Sequence, residues 1–290
     1  LTMHVHPGVA HGKEADGLLY LQLVQEEKLT PLQAFSRMHS DVQEAAGIDR
    51  FLELAAKACS ERQGTRASVH VCHVSSAKAI EAIKRRRTAF PGTITAEATP
   101  HHAFLSCDMR FVKDVSAKVL QPLRPRADMD AVFDAVLDGT IDVIASDHAP
   151  HTAEEKFVPF IDAPSGFPVL DIYVPLLLTR MGARGASLDT TVRACCEVPA
   201  VILGLETMKG VIKKGADADI IVAKKVEPRG PRTDDYESQS RVSPYENAGM
   251  AIEWEVTHVI VNGNLQLEDG VLVGQPLNRL LARPRARAVQ

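Results

Sequence analysis

The apolar and polar positions along the chain alternate between helical and extended periods. Apolar residues at helical spacing between Gly17 and Cys59 predict two amphipathic helices. Beyond them, short apolar runs flanked by turn residues predict strands, and longer runs with a period of about 3.6 residues predict helices. The predicted strands are residues 67–74, 92–98 and 141–145, and the predicted helices are residues 77–87, 128–137, 168–180 and 188–203.

Strands that alternate with helices pair in parallel, so this order predicts an α/β fold, either a barrel or a doubly wound sheet. The polar residues decide between the two. His73, residues 99–102 and Asp147 each stand at the end of a predicted strand. Polar groups at the carboxyl ends of several strands are typical of active sites in (β/α)8 barrels. We therefore predict that residues 1–204 form part of a TIM-type barrel.

Further along the chain the pattern changes to short extended segments separated by turn residues. Asn262-Gly263, between two such segments, is a strong hairpin signal. Residues 205–274 are predicted to form a small appended β-sandwich or β-sheet domain, with a polar loop at 225–249. The basic segment 275–290 is predicted to be a solvated tail.

Composition narrows the classes of function. The 290 residues are 45% hydrophobic and 24% charged, which suits a folded chain with a full core. The formal net charge of -4 provides no basic field for nucleic acid or anionic lipid, so a small-molecule substrate is expected. No apolar run approaches the roughly 20 residues of a membrane-spanning helix, and the N-terminal residues lack a signal-peptide pattern. We expect a cytoplasmic protein without a membrane partner, with its five cysteines reduced.

The densest chemical motif is ASDHAPH, residues 145–151, in which an apolar strand delivers an aspartate and two histidines. At a strand end, Asp147 can bind a divalent metal through one oxygen and exchange a proton through the other. The alternative is that Asp147 caps the following turn.

The motif HVCHVSS places His70 and His73 three residues apart on a predicted strand. Residues three apart in a strand point to opposite faces, so we expect one of the two at the site. His73, nearer the carboxyl end, is the predicted metal ligand, and His70 is expected to pack lower down with hydrogen bonds. Cys72 is expected to be a small buried hydrophobe, although it lies inside the histidine cluster.

Two further motifs contain histidines. In TAEATPHH, the register of the strand decides whether Glu97 points into a barrel or out of it. His101 and His102 either support metal ligands or have a structural role. In MHVH, a period of two aims His4 and His6 to one face, as in a common metal-binding pair, whereas fraying at the terminus is the alternative.

Six segments, taken in order, resemble the corresponding segments of class I dihydroorotases in the amidohydrolase superfamily. They are HVCHVSS, TAEATPHHAFLS, KVLQPLRP, DGTIDVIASDHAPHTAEEK, APSGFP and GVIKKGADADIIV. Allantoinases and dihydropyrimidinases share the outline, whereas TPHH and DHAPH favour dihydroorotase. The resemblance implies reversible ring closure of N-carbamoyl-L-aspartate to dihydroorotate at a centre of one or two zinc ions. It also implies a (β/α)8 barrel with a small β-sandwich.

The resemblance also implies roles for single residues. His73 resembles the histidine that binds the second metal. Asp147 matches the aspartate that binds the first metal and acts as general acid and base. His151 matches the histidine that holds the substrate carboxylate, and Gly166 and Phe167 align with the loop beside the substrate.

The sequence also departs from the family pattern. His4 is interpreted as the single histidine of the middle barrel strand, which implies that earlier strands lie outside this sequence; the alternative makes His4 and His6 the family's HxH pair. Leu120 stands where the family has a substrate-binding asparagine.

An incomplete barrel would expose sheet edges and apolar core. We therefore expect a homo-oligomer or a part of a larger pyrimidine-pathway assembly. A second hypothesis is a dihydroorotase-like scaffold without activity.

Overall fold

The structure, a computed structural model, describes residues 2–3, 12–61 and 66–275. The chain divides into two compact units. The first comprises Leu1–Tyr173 and Gly230–Met250, and the second comprises Val174–Arg229 and Ala251–Gln290. The domain boundary expected at residue 204 stays a prediction.

The first unit contains a parallel sheet whose strand order follows the sequence. Its four strands are β1 (Thr2–Met3), β2 (Ala67–Val71), β3 (Gly92–Ala98) and β4 (Val143–Ile144). Its helices are α1 (Gly12–Gln25), α2 (Pro31–Met38), α3 (Asp41–Glu61), α4 (Ala77–Arg87), α5 (Pro100–Phe104), α6 (Arg126–Leu137) and α7 (Ala153–Lys156). Three short 3₁₀ helices are Asp114–Ala117, Thr233–Asp235 and Tyr245–Asn247, and a fourth, Leu170–Ile172, precedes the unit boundary. The alternating strands and helices confirm the predicted α/β class.

Helix α4 and strand β3 begin and end where the sequence predicts them. The stretch between Gly17 and Cys59, in contrast, contains three helices rather than two. The additional helix, α2, starts at a capping box in which Thr30 and Gln33 each accept a hydrogen bond from the other's backbone N–H. Pro31 at its first position has the backbone angle that a helix start requires.

The two faces of the sheet differ in polarity. On one face Val69 and Val71 of β2 and Ile94 and Ala96 of β3 are buried, and α3 and α4 pack against these strands. The opposite face carries more polar side chains, which are Ser68, His70, Thr93, Thr95 and Glu97. A parallel sheet covered by helices on both faces is apolar on both. The polar face therefore is the one available for chemistry.

A buried ion pair fixes the loop that follows β2. Glu44 in α3 and Arg124 are each 2% exposed, and Arg124 Nη2 lies 3.3 Å from Glu44 Oε2. Ser75 donates its backbone N–H and hydroxyl to the Glu44 carboxylate at 2.8 and 2.7 Å, and Ser76 donates its hydroxyl at 2.7 Å. Arg124 also donates to Ser75 Oγ at 3.0 Å and to the carbonyls of Ser36 and His39. Both buried charges thus have several hydrogen-bond partners.

The second unit combines helices with an antiparallel sheet. Its helices are α8 (Tyr173–Ala183), whose first residue is the last of the first unit, α9 (Leu188–Val192) and α10 (Val198–Leu203). A π-helical turn joins α9 to α10. Its strands are β5 (Ile220–Arg229), β6 (Ile252–Val261), β7 (Asn264–Glu268) and β8 (Val271–Leu272). The predicted hairpin is confirmed: Asn262 and Gly263 join β6 to β7 with positive φ angles of 50° and 80°. The predicted polar loop starts later than expected, because β5 continues to Arg229.

Among the residues that the structure describes, no helix combines the length and the apolar character that crossing a membrane requires.

The Glu44–Arg124 pair generates a stability prediction. Glu44→Gln should lower the free energy of unfolding by about 3–5 kcal/mol, because it leaves the Arg124 guanidinium buried without its carboxylate. Urea-induced unfolding followed by circular dichroism measures this loss.

Glu53→Gln in the same helix is the control. Glu53 pairs with Arg50 at 3.6 Å, but its side chain is 57% exposed, so the change should cost at most about 0.5 kcal/mol. Equal losses in the two variants would contradict the stabilising role of the buried pair.

Candidate functional site

Two of the predicted site residues stand beyond strand ends. His73 follows β2 and Asp147 follows β4, and these two strands flank β3 in the sheet. Both have a positive φ, 40° for His73 and 46° for Asp147, a conformation that costs a non-glycine residue on the order of 1–3 kcal/mol. His73 is buried, whereas 32% of the Asp147 side chain is exposed. Strained residues of this kind cluster at functional sites. The backbone conformation therefore supports a functional site at the two strand ends where the sequence predicts one.

His101, in α5, lies close to both strand ends. Its Nε2 is 4.0 Å from Asp147 Oδ2, and its Nδ1 is 3.2 Å from the Tyr245 hydroxyl. Complete burial lowers the pKa of His101 well below its usual value, and the charges of His102 and His73 act in the same direction, against a hydrogen bond with the Asp147 backbone. The ring is therefore neutral at neutral pH, which is the form that binds metals.

His102, the next residue, serves the fold. Its Nδ1 lies 2.9 Å from the Thr99 hydroxyl, and its Nε2 donates to the Gln121 carbonyl at 3.0 Å. Burial lowers the pKa of His102 to about 3, against the effect of the Gln121 hydrogen bond. Of the two roles left open by the sequence, His102 has the structural one, whereas His101 lies beside Asp147.

The two histidines of the DHAPH segment face other loops. His148 Nδ1 accepts hydrogen bonds from the backbone N–H groups of Val169 and Leu170 at 3.2 and 3.0 Å. His151 Nε2 donates to the Ser165 carbonyl at 3.1 Å, and its Nδ1 lies 3.6 Å from a Glu155 carboxylate oxygen. Both ring nitrogens of His151 thus face protein groups, so a substrate carboxylate would have to replace one of them.

Gly166 and Phe167 pack against the same segment. Gly166 has a φ of 119°, and a Cβ atom there would come within 2.6 Å of the Ala149 carbonyl oxygen, so only glycine fits. The Ala149 N–H donates to the Phe167 carbonyl at 3.3 Å. The Phe167 ring is buried and meets the His101 ring edge to face at 4.4 Å. The backbone of this turn is thus bonded within the protein, since the Gly166 N–H also donates to the Lys118 carbonyl at 2.9 Å, and the Phe167 ring supports His101.

Two buried lysines hold the loop that contains Gly166. Lys156 Nζ donates to the carbonyls of Lys118, Pro164 and Gly166 at 3.1, 2.8 and 2.7 Å. Lys118 Nζ donates to three further carbonyls, which are those of Phe160, Ile161 and Ala163. Burial lowers the pKa of Lys156 to about 7, with the charge of Lys118 as a second cause. Burial also lowers the pKa of Lys118 to about 8.

The sequence analysis did not identify these two lysines. Lys118 begins the apolar run KVLQPL, and a lysine in such a run is the sequence feature that indicates a buried ammonium group.

A group of three potential metal ligands lies on the polar face of the sheet. Of the residues that the structure describes, His70, Cys72 and Glu97 are the set of His, Cys, Asp or Glu whose ligand atoms lie within 4.8 Å of one another. His70 Nε2 is 2.8 Å from Glu97 Oε2. Burial raises the pKa of the Cys72 thiol to about 12, and Glu97 and then Asp147 add to the rise. His70 is hydrogen-bonded below the strand end, as predicted, and the register of β3 puts Glu97 on its face.

The remaining predicted ligands, His4 and His6, lie outside the described residues. The residues just before them pair in parallel with β2, Thr2 opposite His70 and Met3 opposite Val71.

The chain is similar to known proteins over most of its length. The sequence model of the Amidohydrolase family matches residues 39–265. The dihydroorotase of Halobacterium salinarum is 35% identical over 213 residues, which cover 73% of this chain and 47% of that protein. The dihydroorotase of Pelotomaculum thermopropionicum is 37% identical over 217 residues, which cover 73% and 48%. This chain therefore spans about half the length of the curated relatives it matches.

Solved structures are similar to the chain as well. The D-hydantoinase (dihydropyrimidinase) from a Thermus species superposes with a TM-score of 0.73 at 27% identity, covering 90% of this chain and 56% of that one. The dihydropyrimidinase from Brevibacillus agri superposes with a TM-score of 0.77 at 22% identity, covering 94% and 58%, and this likeness shows the fold alone.

The buried ammonium of Lys156 generates a prediction about pH. Its pKa is about 7 in the folded chain and near 10.4 in an unfolded one, so the unfolded chain binds more protons between these values. The contribution of Lys156 to stability should therefore rise as pH increases through this window, by at most about 1.4 kcal/mol per pH unit. Lys156→Met removes this titration, so the difference in unfolding free energy between wild type and variant should grow from about pH 7 to about pH 10.

Denaturant unfolding at a series of pH values measures the difference. Lys57→Met, at a side chain that is 71% exposed, is the control and should give a difference that does not change with pH. Parallel pH curves for wild type and Lys156→Met would show that burial does not perturb the ammonium.

Proposed function

The chain belongs to the amidohydrolase family, and we propose that it forms part of a metal-dependent cyclic amidohydrolase of the dihydroorotase type. Such an enzyme interconverts N-carbamoyl-L-aspartate and dihydroorotate in pyrimidine biosynthesis. The observation that carries this proposal is the meeting of His73, His101 and Asp147 at the carboxyl edge of one parallel sheet. Relatives named dihydroorotase at 33–42% identity favour this reaction over other cyclic amides.

The proposed architecture is the later part of a (β/α)8 barrel with a small β-domain. Four parallel strands in sequence order, joined through helices, are what consecutive barrel strands would present. β1 lies beside β2, which favours His4 as the histidine of the strand preceding β2 over an HxH pair of the first barrel strand. The antiparallel sheet of β5 to β8 supports the proposal that residues 205–274 form the small β-domain.

We assign one or two zinc ions to this edge of the sheet, with His73 and Asp147 as ligands and His4 or His6 as further candidates. The described residues fit a cation, because the neighbouring His101 ring is neutral and the Asp147 carboxylate is partly open to solvent. A zinc ion bound there would polarise the substrate carbonyl and lower the pKa of water.

The chain's own residues bind the substrate and move the proton. Asp147 acts as general acid and base, and its strained backbone holds the carboxylate beyond the end of β4. The substrate carboxylate binds His151, which then gives up its contact with Glu155 or with Ser165. The loop at Gly166 and Phe167, fixed by Lys156, borders the bound substrate.

Two observations favour the second hypothesis, a scaffold without activity. Leu120 replaces the asparagine that binds substrate in the family, and His151 has protein partners on both ring nitrogens. Such a chain would act through association with itself or with other enzymes of the pathway. The two hypotheses differ in metal content and in turnover.

Metal analysis of the purified protein, combined with turnover assays, tests the proposal. We expect bound zinc, reduced occupancy in His73→Ala, and a loss of turnover of about 100-fold or more in Asp147→Asn. His258→Ala in β6 is the matched control and should retain both metal and activity. Wild-type protein without zinc and without turnover would favour the scaffold.

The substrate is tested separately with dihydroorotate, hydantoin and allantoin. Turnover of dihydroorotate with the highest kcat/KM is the expected result. Turnover of hydantoin alone would leave the amidohydrolase chemistry in place but overturn the choice of substrate.

A further inference from the structure

We propose that His70, Cys72 and Glu97 form a cation site of their own, which takes a thiophilic divalent metal such as Zn²⁺ through one imidazole, one thiolate and one carboxylate. This inference goes beyond the proposed function, because none of the three residues is assigned to the catalytic centre. It does not require the chain to be active.

The strand register brings the three side chains together. His70 and Cys72 are two residues apart along the chain at the end of β2, so they point to the same face of the sheet. Glu97 belongs to the neighbouring strand β3, in which Thr95 lies opposite His70. All three ligand atoms lie within 4.8 Å of one another, a spacing that small side-chain rotations reduce to that of ligands around one zinc ion.

Thr95 fixes the orientation of the His70 ring. Its hydroxyl lies 2.8 Å from His70 Nδ1, and the other ring nitrogen faces Glu97 Oε2 at 2.8 Å. Metal binding requires the tautomer in which Nδ1–H donates to Thr95, because this leaves the Nε2 lone pair for the ion. The ion would then replace the hydrogen bond that Nε2–H donates to Glu97 in the other tautomer. A hydrogen bond to the far nitrogen of a metal-binding histidine commonly holds the ring in this way.

The ligand types in this group favour a thiophilic cation. On binding, the thiol would release its proton to solvent and its sulfur would bond to the metal. Imidazole and thiolate ligands select zinc and similar metals over magnesium and calcium, which prefer oxygen alone. His70 and Glu97 keep 16% and 17% of their side chains exposed, which leaves access for the ion and for a water ligand.

Cobalt substitution tests this site directly. Metal-stripped protein is titrated with Co²⁺, and the sulfur-to-cobalt charge-transfer absorption is recorded, since a site of oxygen and nitrogen ligands alone does not produce it. We expect this absorption in the wild type and in Asp147→Asn, and we expect its loss in Cys72→Ser. Thr95→Val should weaken Co²⁺ binding by about 10-fold or more.

Two controls separate Cys72 from the other thiols. Cys107→Ser replaces another buried thiol, located beside Asp108 and outside the group of His70, Cys72 and Glu97, and should leave the absorption unchanged. The double variant Cys195→Ser/Cys196→Ser removes the two least buried thiols and should also retain it.

Absence of the absorption in the wild type, or its persistence in Cys72→Ser, would overturn the cation site. Either result would leave the proposed hydrolase untouched, because turnover and the fall in zinc occupancy in His73→Ala address that centre separately.

Discussion

The buried pair of Glu44 and Arg124 is the interaction on which the loop after β2 depends. Burying two charges is costly, and the cost is offset only when both have close partners and further hydrogen bonds. Here the carboxylate accepts three hydrogen bonds from Ser75 and Ser76, and the guanidinium reaches Ser75 as well as two backbone carbonyls near the end of α2. One pair thereby joins α2, α3 and the loop that begins at His73.

The other loops at the carboxyl edge are held by different means. His102 joins the start of α5 to the Gln121 carbonyl, and the two lysine ammonium groups bind the carbonyls of the loop ending at Gly166. In each case a polar or charged group is buried together with its hydrogen-bond partners. A change of loop conformation would break these buried hydrogen bonds and therefore cost free energy. This rigidity is what keeps His73 and Asp147 in backbone conformations that they would not adopt in a flexible chain.

Much of the architecture could be predicted from the sequence, because the apolar periodicity and the polar residues at the strand ends both indicate an α/β fold. The bounds of α4 and β3 and the turn at Asn262-Gly263 were predictable from local patterns alone. Helix α2 was not, since its eight residues follow α1 so closely that the apolar periodicity does not separate them.

The site was predictable in part. Asp147 and His73 stand out as residues that end strands, whereas the face of Glu97 depends on a register that no local pattern determines. The hydrogen-bond partners of His151 could not be predicted from the sequence either, because Ser165 approaches it only in the folded loop. The roles of Lys118 and Lys156 arise from carbonyl groups, which every residue carries and no sequence motif reveals.

Those two lysines have a practical consequence. Each ammonium has its three N–H groups directed at backbone oxygens, and neither side chain is accessible to reagents in solution. Acylating reagents would therefore modify the surface lysines of the native protein first, and these two only after the surrounding loop opens. The rate at which they are labelled would therefore report local opening of the loop that ends at Gly166.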